Sequence, residues 1–248
     1  MASAQEPKKP RDTDPFAAAF LERLQDRPEA AEFVLGGYFA LKHYLDYRET
    51  GDVDAWWRSR EDPAALAAAR DAFIATANAF GYTFRERSWG ETVSLEAVDG
   101  NRRVFSFQVA VRSIELAQPI PSPWGRFPIE TLEDNVASKM VALVARGAPR
   151  DFVDVKHVVD AGLMTPERCW ALWAAKEPGE VSPATIDEAR LRVKMHLAAI
   201  EARMPLARIP ADRKRAAAEL RSWYRDTFTA APDPHHGDRR PDGETGHL

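Results

Sequence analysis

An α+β fold, with a small mixed β-sheet flanked by helices and a C-terminal helical bundle following it, is predicted on three observations. Phe33-Val34-Leu35 is a β-branched and aromatic run that stops at Gly36-Gly37 and restarts as Tyr38, Phe39, Ala40, Leu41, Tyr44 and Leu45. That order of patterns reads as strand, tight turn and amphipathic helix. Three further strand-like runs follow near residues 82–87, 91–98 and 102–112, the last two joined through Asp99-Gly100, a strong hairpin signal. From Glu130 onward the apolar residues keep helical spacing only.

Residues 1–14 are charged and carry prolines, so they are expected to be disordered. Phe16 to Leu24 makes a short amphipathic helix, and the strand at 33–36 and its following helix come next. Val53, Trp56 and Trp57 mark a second strand. A longer helix opens with Pro63 in its first turn, runs through Leu66, Ala69, Phe73, Ile74 and Ala77 to about Phe80, and stops at Gly81. After the hairpin strands comes a crossing rich in proline (Pro119, Pro121, Pro123, Pro128). Helices are then expected over 130–146, 150–161, 166–175, 183–203 and 211–229. Gly147 suits a C′ position, and Pro149, Pro166 and Pro183 suit N1, with Thr165 and Ser182 as N-caps. The expected organisation is a core over 15–128, a helical domain over 129–231 that completes the site, and a disordered tail over 232–248.

Chemistry concentrates near the first turn. Glycines at a helix start let backbone N–H groups approach an anion where the macrodipole also favours negative charge. Fifteen residues after Gly37 stands Asp52-Val53-Asp54, whose carboxylates point to one face of the second strand. Two hard oxygen ligands on one rigid face suit Mg²⁺, which fills its other positions with water and substrate phosphate. A paired-glycine turn alone is a common turn, and Asp-x-Asp alone is a common strand edge. In this order and spacing they point to nucleotide chemistry.

The two motifs together resemble the hallmark of the nucleotidyltransferase superfamily. Behind them stands Lys139-x-x-Ala142-Leu143-x-x-Arg146-x-x-x-Arg150-Asp151-x-x-Asp154. A lysine-bearing helix followed by Arg-Asp-x-x-Asp is similar to the AbiEii/AbiGii-type nucleotidyltransferases, the toxins of bacterial abortive-infection and toxin–antitoxin systems. The resemblance covers about residues 30 to 162. It implies a nucleotidyltransferase core with an appended helical region, acting on a nucleoside triphosphate (NTP) with Mg²⁺ and an acceptor hydroxyl on RNA, tRNA in particular. A cognate antitoxin is the implied partner. Carried over residue by residue, Gly36 and Gly37 would hold the nucleotide phosphates and Asp52 and Asp54 the metal. Lys139 would reach a phosphate and Asp151 complete the polar catalytic site, with Arg150 and Asp154 beside the nucleotide. Arg48 and Thr50 match the family's Arg-x-Ser/Thr lead into the aspartates, and without the family they read as a surface turn ending in Gly51.

One position departs from the pattern. Nucleotidyltransferases commonly carry a third carboxylate on a later strand, and Gln108 stands where it is expected. Placing Val93 and Leu95 against Phe107 and Phe105 requires an odd-length loop, which sets Gln108 opposite Thr92 with no acid to replace it. The alternative readings are therefore a binding module with an impaired site, or a transferase for a small molecule.

Composition excludes other classes. A formal net charge of −4 carries no global nucleic-acid signature, although Arg203, Arg208, Arg213, Lys214, Arg215, Arg221 and Arg225 crowd the last helices. That run reads either as an RNA-backbone contact or, with acids interleaved, as a solvated face. The single cysteine, Cys169, permits no internal disulfide and no cysteine-rich zinc site. The histidines, His43 and His157 among them, form no metal-ligand spacing. With no apolar run of transmembrane length and no signal-peptide core, the expectation is a cytoplasmic protein with no membrane contact.

Overall fold

The structure, a computed structural model, describes residues 5–112, 114–179 and 181–232. Its elements are α1 (Pro15–Leu24), β1 (Phe33–Gly36), α2 (Gly37–Lys42), β2 (Asp52–Trp57), α3 (Pro63–Ala79), β3 (Thr83–Trp89), β4 (Thr92–Asp99), β5 (Arg102–Ala110), β6 (Ile120–Pro121) and β7 (Pro128–Ile129). Helices α4 (Leu132–Ala145), α5 (Pro149–Asp160), α6 (Pro166–Lys176), α7 (Pro183–Arg203) and α8 (Ala211–Asp226) follow. This is the expected α+β fold. Contacts divide the chain into two compact units between Val136 and Ala137, inside α4.

The first unit is built on one mixed sheet in the order β3-β4-β5-β2-β1-β7-β6, with β2 parallel to β5 and β1 parallel to β7. Alternation sorts its side chains: Val53, Ala55 and Trp57 of β2 are buried, while Asp52, Asp54 and Trp56 are half-buried on the other face. The buried face meets α1 and α3. Phe16 and Phe20 of α1 stand 4.8 and 5.0 Å, ring centre to ring centre, from Phe105 and Phe107 of β5, and Phe73 of α3 packs against Phe16 at 5.1 Å. Aromatic pairs of this kind add to area burial, so this layer fixes which face of the sheet is left for polar groups. Asp14 and Asp62 cap α1 and α3, each with Pro at N1.

The β4–β5 hairpin differs from expectation. Leu95 pairs with Phe107 and Val93 with Val109, so Gln108 lies opposite Ser94 and not Thr92. The turn is the two-residue Gly100-Asn101, and a β-bulge after Ala97 supplies the extra residue that the expected odd-length loop was to provide. The faces are as expected; the register is displaced by two. The proline-rich crossing also contains two short strands, Ile120 pairing with Ile129. Prolines keep such strands short and confined to edges, which is why their pattern did not show in the sequence.

Residues 5–14, within the stretch expected to be disordered, run beside the end of α2, where the Lys8 N–H donates to the His43 carbonyl at 2.9 Å and the Arg11 N–H to Asp46 at 3.2 Å. The tail expected over 232–248 lies outside the described residues except Pro232.

In the second unit, Thr165 and Ser182 cap α6 and α7 as expected, accepting from the Arg168 and Thr185 N–H groups. Ile186, Ala189, Val193 and Leu197 form the buried stripe of α7. Phe152 and Tyr224 meet edge to face at 4.7 Å, and the Tyr224 hydroxyl donates to the Phe152 carbonyl at 2.7 Å. The last helix ends at Asp226, short of the expected 229, with a 3-10 turn over Phe228–Ala230. Among the described residues no helix is long and apolar enough to cross a membrane.

Candidate active site

Gly37 begins α2 with φ +60°, a conformation that glycine adopts without strain. The neighbouring strand gives both glycines a second reason. A β-carbon on Gly36 would collide with the Trp56 indole, and one on Gly37 would stand 2.8 Å from Asp54 Cγ. Gly36 pairs with Asp54 across β1 and β2, so the glycine turn and the Asp-x-Asp strand touch. The sequence motif is one piece of geometry.

Asp52 and Asp54 share the polar face of β2, both half-buried. Asp54 stands between Gly36 on one side and Gln108 on the other, and Asp52 faces Ser106. The lead into β2 is held from α2. The Tyr38 hydroxyl accepts from the Arg48 N–H at 2.9 Å and donates to the Arg48 carbonyl at 3.0 Å, and Lys42 Nζ reaches the same carbonyl at 3.1 Å. Burial pushes the Tyr38 pKa up despite these bonds, so the phenol stays protonated. The Arg48 guanidinium lies 3.4 Å from the centre of the Tyr38 ring, and the Thr50 hydroxyl donates to the Asp52 carboxylate. Of the expected Arg48-x-Thr50 pair, Thr50 therefore sits directly against Asp52, while Arg48 packs on Tyr38.

Gln108 directly flanks Asp54 and donates to the Ser106 hydroxyl at 3.2 Å. As expected, no acid stands opposite Gln108, whose partner is Ser94, although one does lie elsewhere on this face. Glu96 is opposite Ser106, in line with Asp52, but two strand spacings put it about 10 Å away. Arg85 also binds its carboxylate at 2.6 Å. Glu96 therefore does not replace the third carboxylate.

A second polar group on the first unit escaped the sequence reading. Glu130 is fully buried; its carboxylate accepts from Trp56 Nε1 at 2.9 Å and Asn135 Nδ2 at 2.8 Å, with Arg112 at 3.3 Å. Asn135 Nδ2 also donates to the Gly37 carbonyl at 2.8 Å, and Tyr44 donates to the Glu130 carbonyl at 2.8 Å. Arg112 pairs with Asp134, which also accepts from the Leu116 and Ala117 N–H groups at 3.1 Å. The only sequence signal was Glu130 and Asp134 near a helix start, which suits any helix.

In the second unit Lys139 Nζ binds Asp154 at 2.7 Å, and Arg146 binds Asp151 through two hydrogen bonds of 2.9 and 3.0 Å. Both aspartates are fully buried. Asp151, at N3 of α5, also reaches back to the Ala148 N–H at 3.2 Å. Arg150 is exposed on the first turn of α5. Lys139-x-x-Ala142-x-x-x-Arg146 and Asp151-x-x-Asp154 thus interlock, each cation of one motif on a carboxylate of the other. The break between them is set by Gly147 (φ +52°), whose N–H closes on the Ala142 carbonyl at 3.1 Å.

Among the described residues no group of three or more His, Cys, Asp or Glu side chains is arranged to hold a metal ion. Asp52 and Asp54 are a donor set of two, both hard oxygen ligands. That fits Mg²⁺, which takes one or two carboxylates and keeps its other positions for water and phosphate. His43 and His157 are occupied otherwise: Nδ1 of each faces the carbonyl four residues earlier, at 2.8 and 2.9 Å.

A family model described as "Nucleotidyl transferase AbiEii toxin, Type IV TA system" matches residues 19–231, most of the chain. Comparison with curated proteins gives no match.

Proposed function

The chain belongs to the AbiEii family of nucleotidyl transferase toxins of type IV toxin–antitoxin systems, and from that premise we propose that it moves a nucleotidyl group from an NTP to a hydroxyl of RNA, tRNA in particular, with Mg²⁺. The observation that carries the reading is Asp54 seated against Gly37, with Asp52 on the same strand face. In the reaction the acceptor oxygen bonds to the α-phosphorus, the bond to the bridging oxygen breaks, pyrophosphate leaves and the hydroxyl proton passes to solvent. Asp52 and Asp54 would hold the metal, which neutralises triphosphate charge when bound. Thr50 fixes the Asp52 carboxylate, and the Tyr38 clamp holds the backbone of Arg48 two residues before it. The family resemblance would give Lys139 and Arg150 to phosphate; within the second unit Asp154 holds Lys139, and Asp151 holds Arg146. The family implies an antitoxin as partner, and a cytoplasmic location follows for an enzyme that uses cellular NTP and RNA.

A second reading, a nucleotide-binding module without turnover, rests on Gln108 beside Asp54, where a carboxylate would tighten metal binding. The test is incubation of purified protein with each labelled triphosphate, Mg²⁺ and total cellular RNA. Transfer of label to RNA is expected, and Asp52→Asn or Asp54→Asn should abolish it without lowering the melting temperature, since removing one of two neighbouring like charges relieves repulsion. Turnover at the wild-type rate in either variant would remove the metal role.

A further inference from the structure

Trp56 is the third residue on the face that carries Asp52 and Asp54, and it lies outside the hydrophobic core cluster. A large aromatic on a polar face needs an explanation beyond packing. Its indole rests on Gly36, which has no side chain to push it away, and Ala110 is its cross-strand neighbour on β5. Its N–H is tied to Glu130, a carboxylate that is 0% exposed and in turn engaged by Asn135 and Arg112. A fully buried carboxylate carries a large desolvation cost, which only well-placed donors offset. Here the donors include the indole itself, so the ring is held in one orientation.

The spacing is informative. Asp54 and Trp56 are two residues apart on one strand, about 7 Å along the face. That is roughly the separation of a nucleoside's base from its α-phosphate. The spacing thus lets an α-phosphate at the aspartates set its base on Trp56.

We infer that Trp56 is the stacking platform for the base of the donor nucleotide, and that Glu130 is the positioning residue that sets the indole for it. The inference rests on the nucleotidyl-transfer reading of the same site. Stacking is tolerant of base identity but strengthens with ring area, so the platform favours purine over pyrimidine triphosphates. Asn135 links the platform to the phosphate end, because the same amide that binds Glu130 also holds the Gly37 carbonyl.

The test measures binding of ATP, GTP, CTP, UTP and tripolyphosphate, each with Mg²⁺, to the full chain and to Trp56→Phe, Trp56→Leu and Glu130→Gln. Trp56→Leu should weaken purine triphosphates ten- to a hundredfold and pyrimidines less, with tripolyphosphate unchanged. Trp56→Phe and Glu130→Gln should fall between. Because Phe and Gln are conservative, their melting temperatures and tripolyphosphate affinities show whether the fold survives. A uniform loss for all five ligands would make the residues structural and overturn the inference. So would nucleotide affinities that Trp56→Leu leaves unchanged while the wild type still transfers label. If the wild type binds no triphosphate, the inference falls together with the reading beneath it.

Discussion

At the scale of single residues, Gln108 and His43 show how much one side chain decides. Gln108 faces Asp54 directly across β2 and β5. Gln108→Asp should therefore lower the Mg²⁺ concentration for half-maximal transfer, and should destabilise the metal-free protein, because like charges directly opposite repel. Superimposable metal titrations of the two proteins would show that the side chain does not face the metal. His43 is buried, takes a hydrogen bond from Trp124 Nε1 on its Nε2 at 2.8 Å, and therefore carries its proton on Nδ1, toward the Phe39 carbonyl. Burial pulls its pKa from 6.5 down to about 4, against the opposing pull of the backbone hydrogen bonds to Phe39 and Ala40 and of Asp46. A depressed histidine stabilises the fold fully above its unfolded value, and the contribution is lost as pH falls from about 6.5 to about 4. The loss amounts to roughly 3 kcal/mol. Urea denaturation across that window should show a flatter profile for His43→Gln, whose amide oxygen still accepts from Trp124, and equal profiles would discount the histidine. Cys169 is buried, and burial pushes its thiol up to about 12, so it is inert.

At the scale of elements, the second motif pair holds two helices of the second unit together. Lys139 on α4 binds the fully buried Asp154 of α5. Lys139→Ala strands that carboxylate, and the expected cost is about 3–5 kcal/mol. Adding Asp154→Ala should restore most of the stability but no transfer, as chemical denaturation and label transfer would report. Wild-type stability in the single variant would mean that the ion pair contributes nothing. Elements were mostly legible in the sequence because capping residues and periodicity agreed: Ser182-Pro183 opened α7 at the expected residue. What stayed hidden depended on contacts distant in the chain. The strands β6 and β7 have no pattern of their own, and the Glu130 cluster joins residues 56, 112 and 135 that share no local motif. The glycines and aspartates were legible because each half of that motif is short and local. The reason the glycines must be glycine is not local: Trp56 and Asp54 lie over them.

At the scale of the whole molecule, the fold class, the polar face of β2 and the break at Gly147 follow from alternation and turn chemistry, whereas charge distribution does not follow from counting. Of the crowded cations, Arg213 pairs with Asp212 at 3.8 Å and Arg215 with Glu219 at 2.8 Å, while Arg221 is buried against the Met204 carbonyl. Exposed pairs of this kind are weak and do not prevent an arginine from turning to a phosphate. If α8 holds the acceptor backbone, Arg213→Ala, Lys214→Ala and Arg215→Ala together should reduce the salt dependence of RNA affinity by about 0.7 to 0.9 in log–log slope per lost contact. Triphosphate affinity should not change. Equal RNA slopes would leave α8 a solvated surface.

The bulge after Ala97 has a consequence for how such chains vary. With these residues, regular pairing from the two-residue turn would set Glu96 opposite Phe105 and so exchange the two sides of β4; the residue set aside at the bulge keeps Ala97 opposite Phe105 instead. Setting it aside in a three-residue turn would do the same, and removing it would leave the pairs beyond Ala97 as they are. The sheet thus fixes the pairing and not the length of the connection, so that one residue is free to be gained or lost here without turning a side chain over.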